Sequence, residues 1–159
     1  MIPWEELPDH SRVWIYQSSR NFTEDEVSSI QQQSEQFVKD WNAHGASLLA
    51  SIEVFHQRFI VIFLDEKQAM ATGCSIDKLV HLIKSVEEQV DVDMMDRLNV
   101  AWLTDGEISS SHVNDIPTLI GNELLTKDTK IFNNIIANKS QFMTDWEKPL
   151  VDTWVGQRL

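Results

Sequence analysis

Leu48-Leu49-Ala50-Ser51-Ile52-Glu53-Val54-Phe55 is followed, after His56, Gln57 and Arg58, by Phe59-Ile60-Val61-Ile62-Phe63-Leu64. In the first stretch Leu48, Ala50, Ile52 and Val54 share one parity, and Leu49, Ser51, Glu53 and Phe55 share the other. This is the period of a β-strand, whose side chains alternate between faces. The second stretch is apolar at every position, the pattern of a strand buried on both faces. The Gln57-Arg58 turn makes the two a hairpin. The second stretch is also the longest apolar run in the chain, and its six residues fall far short of the ~20 that a membrane-spanning helix needs.

Upstream, residues 12–18 read as a strand, because Val13, Trp14, Ile15 and Tyr16 are β-branched or aromatic and polar breakers follow. Thr23 and Glu26 form a Thr-x-x-Glu capping box. Val27, Ile30, Phe37, Val38 and Trp41 then recur at helical spacing, and Gly45 suits a left-handed position beyond the helix end. Downstream, a second helix is expected after Gly73 with Ser75 as N-cap, Asp77 in its first turn, and a stripe from Ile76 to Val90. Residues 98–104 give another strand. The order strand, helix, strand, strand, helix, strand predicts an α+β fold with a ferredoxin-like βαββαβ core: an antiparallel sheet with both helices on one face.

Asp105-Gly106 is a favoured two-residue hairpin turn, so residues 107–113 are expected to add an edge strand to that sheet. Asp115, Pro117 and Gly121 delimit a short helix, residues 124–136 are mixed, and a last helix is expected over 140–146. Pro149 and Trp154 suggest that the tail packs on the body. The expectation is a single domain over residues 1–159, with a core at about 12–104 and a helical or irregular extension at about 105–159.

The 159 residues are 42% hydrophobic and 24% charged, ordinary values for a chain that folds unaided. Thirteen Lys and Arg against 25 Asp and Glu give a formal charge of -12, which opposes binding to nucleic acid or anionic lipid. The acidic first ten residues lack the basic-then-apolar pattern of a secretory signal. Cys74 is the one cysteine, so neither an internal disulfide nor a cysteine-built zinc site can form, and residence in the reducing cytoplasm is expected.

Cys74 is the first candidate for chemistry, since a thiol near a helix N-terminus gains thiolate stabilisation. Its base would be His44, His56, His81 or His112. The structural alternative is a hydrophobic staple, with Cys74 before the cap and Leu79 within the first turns. The Thr72-Gly73-Cys74-Ser75 turn also offers backbone amides to an anion, opposed by Asp77. No His-x-x-x-His, His-Glu-x-x-His or EF-hand spacing occurs, so no metal is expected, and no cofactor motif is present. Of six tryptophans, Trp14, Trp41 and Trp102 fall in core patterns. Trp4, Trp146 and Trp154 either seal the termini or form a partner patch.

Four stretches, Trp14-Ile-Tyr-Gln-Ser-Ser-Arg20, Trp41-Asn-Ala-His-Gly45, Gly73-Cys-Ser-Ile-Asp-Lys78 and Asp128-Thr-Lys-Ile-Phe-Asn-Asn134, resemble a family of small uncharacterised bacterial proteins. Its members often carry the label "ABC transporter ATPase". This chain has neither a Gly-x-x-x-x-Gly-Lys-Ser/Thr loop nor a Leu-Ser-Gly-Gly-Gln signature, so ABC-type ATPase activity is not expected. The resemblance singles out His44, Asp77, Lys78, Asp128, Thr129, Asn133 and Asn134 as a candidate site, or else as turn and capping residues. The leading expectation is a non-enzymatic binding or interaction module, with a homodimer through a sheet edge or the tryptophan-bearing termini as one assembly the pattern allows. The alternatives are a small thiol enzyme using Cys74, with Lys78 or backbone amides on an anion, and a small-ligand carrier.

Overall fold

The computed structural model describes residues 1–43 and 45–159. In chain order it contains β1 (Arg12–Gln17), α1 (Glu24–Asp40), the two-residue strands β2 (Asn42–Ala43) and β3 (Ala46–Ser47), β4 (Leu49–Phe55) and β5 (Phe59–Asp65). These are followed by α2 (Gly73–Val90), β6 (Asn99–Thr104), β7 (Glu107–His112), α3 (Ile116–Gly121), β8 (Lys130–Phe132), α4 (Lys139–Asp145) and β9 (Glu147–Pro149). The fold is α+β, and its two larger sheets are antiparallel.

The first sheet has the order β1-β5-β4, with β5 antiparallel to both neighbours. On β5, Ile60, Ile62 and Leu64 face the long helices, packing with Ile30 of α1 and Leu79, Ile83 and Val86 of α2. Phe59, Val61 and Phe63 face the other way, onto Ala101, Phe132, Phe142 and Trp146. All six are at most 1% exposed. The continuous apolar run is therefore explained by a layer on each side, and each such side chain contributes roughly 1.5–3 kcal/mol of burial.

The outer layer of that second interface is another sheet, of order β7-β6-β8-β9. Ala101 points to the first sheet, while Val100, Trp102 and Ile131 point outward to Ile116, Leu125, Leu150 and Val155. The four-stranded ferredoxin-like sheet expected from the element order does not form. β6, its expected fourth strand, pairs with β7 and β8, so among the described residues no strand pairs with β1 on that side, where only the bridge from Arg12 to Asn138 touches its start. The physical reason is that β6 is apolar on both faces and β5 needs a cover opposite the helices. Residues 107–112 accordingly join this second sheet through the Asp105-Gly106 turn, where both residues have positive φ (+50° and +82°).

Local signals hold with three adjustments. The Thr23–Glu26 capping box forms in both directions and starts α1. At α2, however, the N-cap is Thr72, not Ser75. Ser75 is the third helical residue and returns its Oγ to the Thr72 N–H, so the expected staple from Cys74 to Leu79 is displaced. Gly45 does have positive φ (+81°), but between β2 and β3 and not directly beyond α1. His44 lies outside the described residues. Asp115 precedes α3 without a side-chain cap bond, and Asn138 caps α4 through Gln141 N–H.

The β4–β5 turn places two non-glycine residues, His56 (φ +53°) and Gln57 (φ +52°), in the left-handed region, at a cost of order 1 kcal/mol each. Tertiary bonds hold it there. Phe22 N–H donates to Gln57 O, and Ser18 N–H donates to Arg58 O. Arg58, only 6% exposed, donates to Ser18 O (2.8 Å), Ser19 O (3.2 Å), Asn21 Oδ1 (3.1 Å) and Ser110 Oγ (2.7 Å). Burial pulls its pKa below the usual arginine value. Because Ser110 lies on β7, this one guanidinium ties the hairpin of the first sheet to the edge of the second.

Lysine cannot span those four acceptors, so Arg58→Lys should lower the unfolding free energy by about 3 kcal/mol in urea titration. A loss below about 0.5 kcal/mol would show that the clamp does not hold the sheets. A second expectation concerns acid. Arg20 donates to both Glu26 oxygens (2.8 and 2.9 Å) and to Val90 O, fastening the start of α1 to the end of α2. That guanidinium, with the Thr23 N–H, lowers the Glu26 pKa to about 2. A depressed carboxylate stabilises above its unfolded-state value and ceases to do so as pH falls through its folded value. The melting-temperature advantage over Glu26→Gln should therefore be full near neutrality and shrink between about pH 4.5 and pH 2. An advantage that does not change with pH would contradict the pairing.

Candidate functional site

The edge of β1 that β6 does not join borders a cleft. After α2 the chain turns at Asp91 (φ +53°) and is pinned beside β1 by Ser19 N–H to Asp93 O and Asp93 N–H to Ser19 Oγ. Asp93 Oδ1 accepts from Met95 N–H and Asp96 N–H, and Asp96 Oδ1 accepts from Leu98 N–H. Such local side-chain bonds hold residues 93–98 out of a sheet ladder. Between this segment and β1 lies a cavity of about 490 Å³, walled also by residues of and after β8 and by Trp154 and Arg158. That volume falls within the usual range for a small-ligand site.

A relay of amides fixes one wall. Gln17 Nε2 donates to Asn99 O (3.2 Å), Asn134 Nδ2 donates to Gln17 Oε1 (3.0 Å), and Trp146 Nε1 donates to Asn134 Oδ1 (3.0 Å). Gln17 is buried at the end of β1, where its alternatives to this geometry are few. Met94, Met95, Leu98 and Ile135 supply apolar lining, and Arg97 and Arg158 bring positive charge. The Arg158 guanidinium sits 5.9 Å from the Trp154 ring. Tyr16 is held above the ordinary tyrosine pKa by burial, partly offset by the Arg97 charge.

The backbone of β1 also faces this space. Ser18 N–H turns toward β5, to Arg58 O, whereas Val13 N–H turns away, to Ala137 O. By strand alternation the N–H and C=O of Ile15 and Gln17 also point away from β5, and β5 is the only strand that pairs with β1 among the described residues. They line the cleft without a backbone partner among the described residues.

Of the residues that the resemblance singled out, Asn134 is the one that lines this cleft among the described residues, and Trp154 of the candidate partner patch lines it too. Asn133 follows β8, its Oδ1 buried without a hydrogen bond among the described residues. Asp128 and Thr129 belong to a turn closed by Thr126: Asp128 N–H donates to Thr126 Oγ1 and Thr126 N–H to Thr129 Oγ1. They are turn residues beside Leu150, whose N–H donates to Thr129 O. Cys74 is exposed in the first turn of α2 and makes no hydrogen bond among the described residues. Asp77 is exposed on the same helix. Lys78 lines a separate, open groove between α1 and α2 with His81, Asp40 and Phe37. α2 packs on the helix side of the first sheet and the Asp128 turn adjoins Leu150 of the outer core, so the described members of the set do not converge. Trp4 and Trp146 are packed among Phe55, Phe63 and Phe142, and Trp154 packs on the outer core.

Among the described residues no three His, Cys, Asp or Glu side chains come together as a metal set. No described helix is long and apolar enough to cross a membrane. Comparison of the chain with protein-family models, with curated proteins and with solved structures finds no match.

The open edge has a measurable signature. The Ile15 amide should exchange with solvent deuterium at least about tenfold faster than those of Trp14 and Tyr16, which bond to β5. Equal protection at all three would mean that the edge is paired.

Proposed function

We propose that this protein is a non-catalytic binding module whose ligand, amphipathic and carrying an acidic group, enters the cleft between β1 and residues 94–100. The observation that carries this reading is the combination in one cavity of unpaired strand backbone, an amide relay that fixes the wall, apolar lining and two guanidinium groups. Preorganised polar groups in an apolar recess are what a specific site requires, because they bind without a reorganisation cost. Arginine in a chain of net charge -12 suits a carboxylate or related anion. The Met94-Met95 pair adds adaptable, polarisable surface. Among the described residues that line this cleft, no nucleophile and base stand within hydrogen-bond reach of each other, the signature of covalent catalysis.

Anilinonaphthalene sulfonate, an amphipathic anion, is a suitable first probe. Its fluorescence should rise saturably with one site per chain. Ile135→Glu, at a position 71% exposed and therefore neutral for folding, should weaken binding at least tenfold, as should Arg97→Ser. Both variants should melt within about 2 °C of the wild type. Binding that neither substitution alters, or no saturable binding, would overturn the reading.

A further inference from the structure

The cleft offers more than shape and charge, and the additional feature points to a class of ligand. A folded chain seldom leaves strand N–H and C=O groups facing a recess without partners, because each unpaired buried group costs free energy. At Ile15 and Gln17 four such groups lie along one edge and, at about 3.3 Å per residue, span roughly 7 Å. Of the sheet edges, this one lines the cavity. On β4, Ile52 N–H is covered by Met1 Sδ, and β1 itself is closed at its start by Ala137 O and the bridge from Arg12 to Asn138. The free stretch is thus bounded, and it is rigid, since β5 holds it on one side and the Gln17–Asn134–Trp146 relay at its end.

Resting on the binding reading above, we propose that the occupant is an extended acidic peptide segment, added as a strand against Ile15–Gln17 with a carboxylate on Arg97 or Arg158. The alternating donors and acceptors of this strand edge are matched in series by an extended peptide backbone, and a compact metabolite does not present that series. Charge complementarity selects the acidic sequence, because both guanidinium groups are exposed at the cleft and, among the described residues, Asp96 is the one carboxylate that lines it. Alternate side chains of the peptide would enter the apolar lining at Leu98 and Ile135, and the acidic ones between them would reach the exposed Arg97 or Arg158 at the cleft rim.

The test uses the 159-residue chain and a fluorescein-labelled peptide, Val-Glu-Val-Glu-Val, with two versions N-methylated at alternate residues. N-methylation removes backbone donors while keeping every side chain, so only the version methylated on the edge-facing parity should fail. The expected result is saturable anisotropy for the parent, at least tenfold weaker binding for one methylated version and near-parent binding for the other. Arg97→Ser should weaken the parent at least tenfold, and the Ile15 amide should gain deuterium protection in the complex. Equal binding of all three peptides overturns the strand-addition proposal. So does sulfonate-dye binding without peptide binding, which leaves the cleft-binding reading standing; failure of both ligands removes that reading as well. A dimer whose formation depends on this edge and excludes the peptide would also overturn it, assigning the edge to a second copy.

Discussion

The burial of β5 on both faces is the constraint on which the rest of the structure depends. A strand with Phe59, Val61 and Phe63 on one side and Ile60, Ile62 and Leu64 on the other cannot satisfy either set with a single layer. Two long helices close one side. The other side demands a second sheet, and β6 is recruited to build it. Once β6 leaves, the edge of β1 opens, and the cleft is the space that results. The candidate site is in this sense a by-product of how the core is covered.

Holding two sheets face to face leaves the question of what fixes their relative position. Apolar packing is non-directional, so a directional element has to supply the register. Arg58 does so, reaching from the β4–β5 hairpin to Ser110 while satisfying the Ser18–Ser19 carbonyls and Asn21. The same contacts hold His56 and Gln57 in backbone conformations that their side chains disfavour. The aromatic group of Trp4, Phe55, Phe63, Phe142 and Trp146 then fills the interface from the two chain termini inward.

Much of this was legible where the determinants are local. The alternation of residues 48–55, the Thr23–Glu26 box and the Asp105-Gly106 turn each act within a few residues, and each forms as read. The assignment of β6 to a sheet was not local. It depends on Leu125, Ile131, Leu150 and Val155, which need a sheet face far from them in sequence. The all-apolar β5 already implied a cover opposite the helices, and the ferredoxin-like expectation left that face bare. At α2, Thr72 and Ser75 are both competent caps, and the reciprocal bond between them decided for Thr72. The site was the least legible part. Gln17, Asn99, Asn134 and Trp146 are brought together only by the pairing of distant elements, and a Gln at a strand end carries no signal of its own.

Comparing Ile62→Ala with Phe63→Ala in equilibrium urea unfolding measures whether β5 is covered on both faces. Both should cost at least about 2 kcal/mol, because each leaves a cavity in a separate packed layer. If Phe63→Ala instead costs less than about 0.5 kcal/mol while Ile62→Ala remains severe, the odd-numbered face is not buried, and the second sheet does not pack where the account places it.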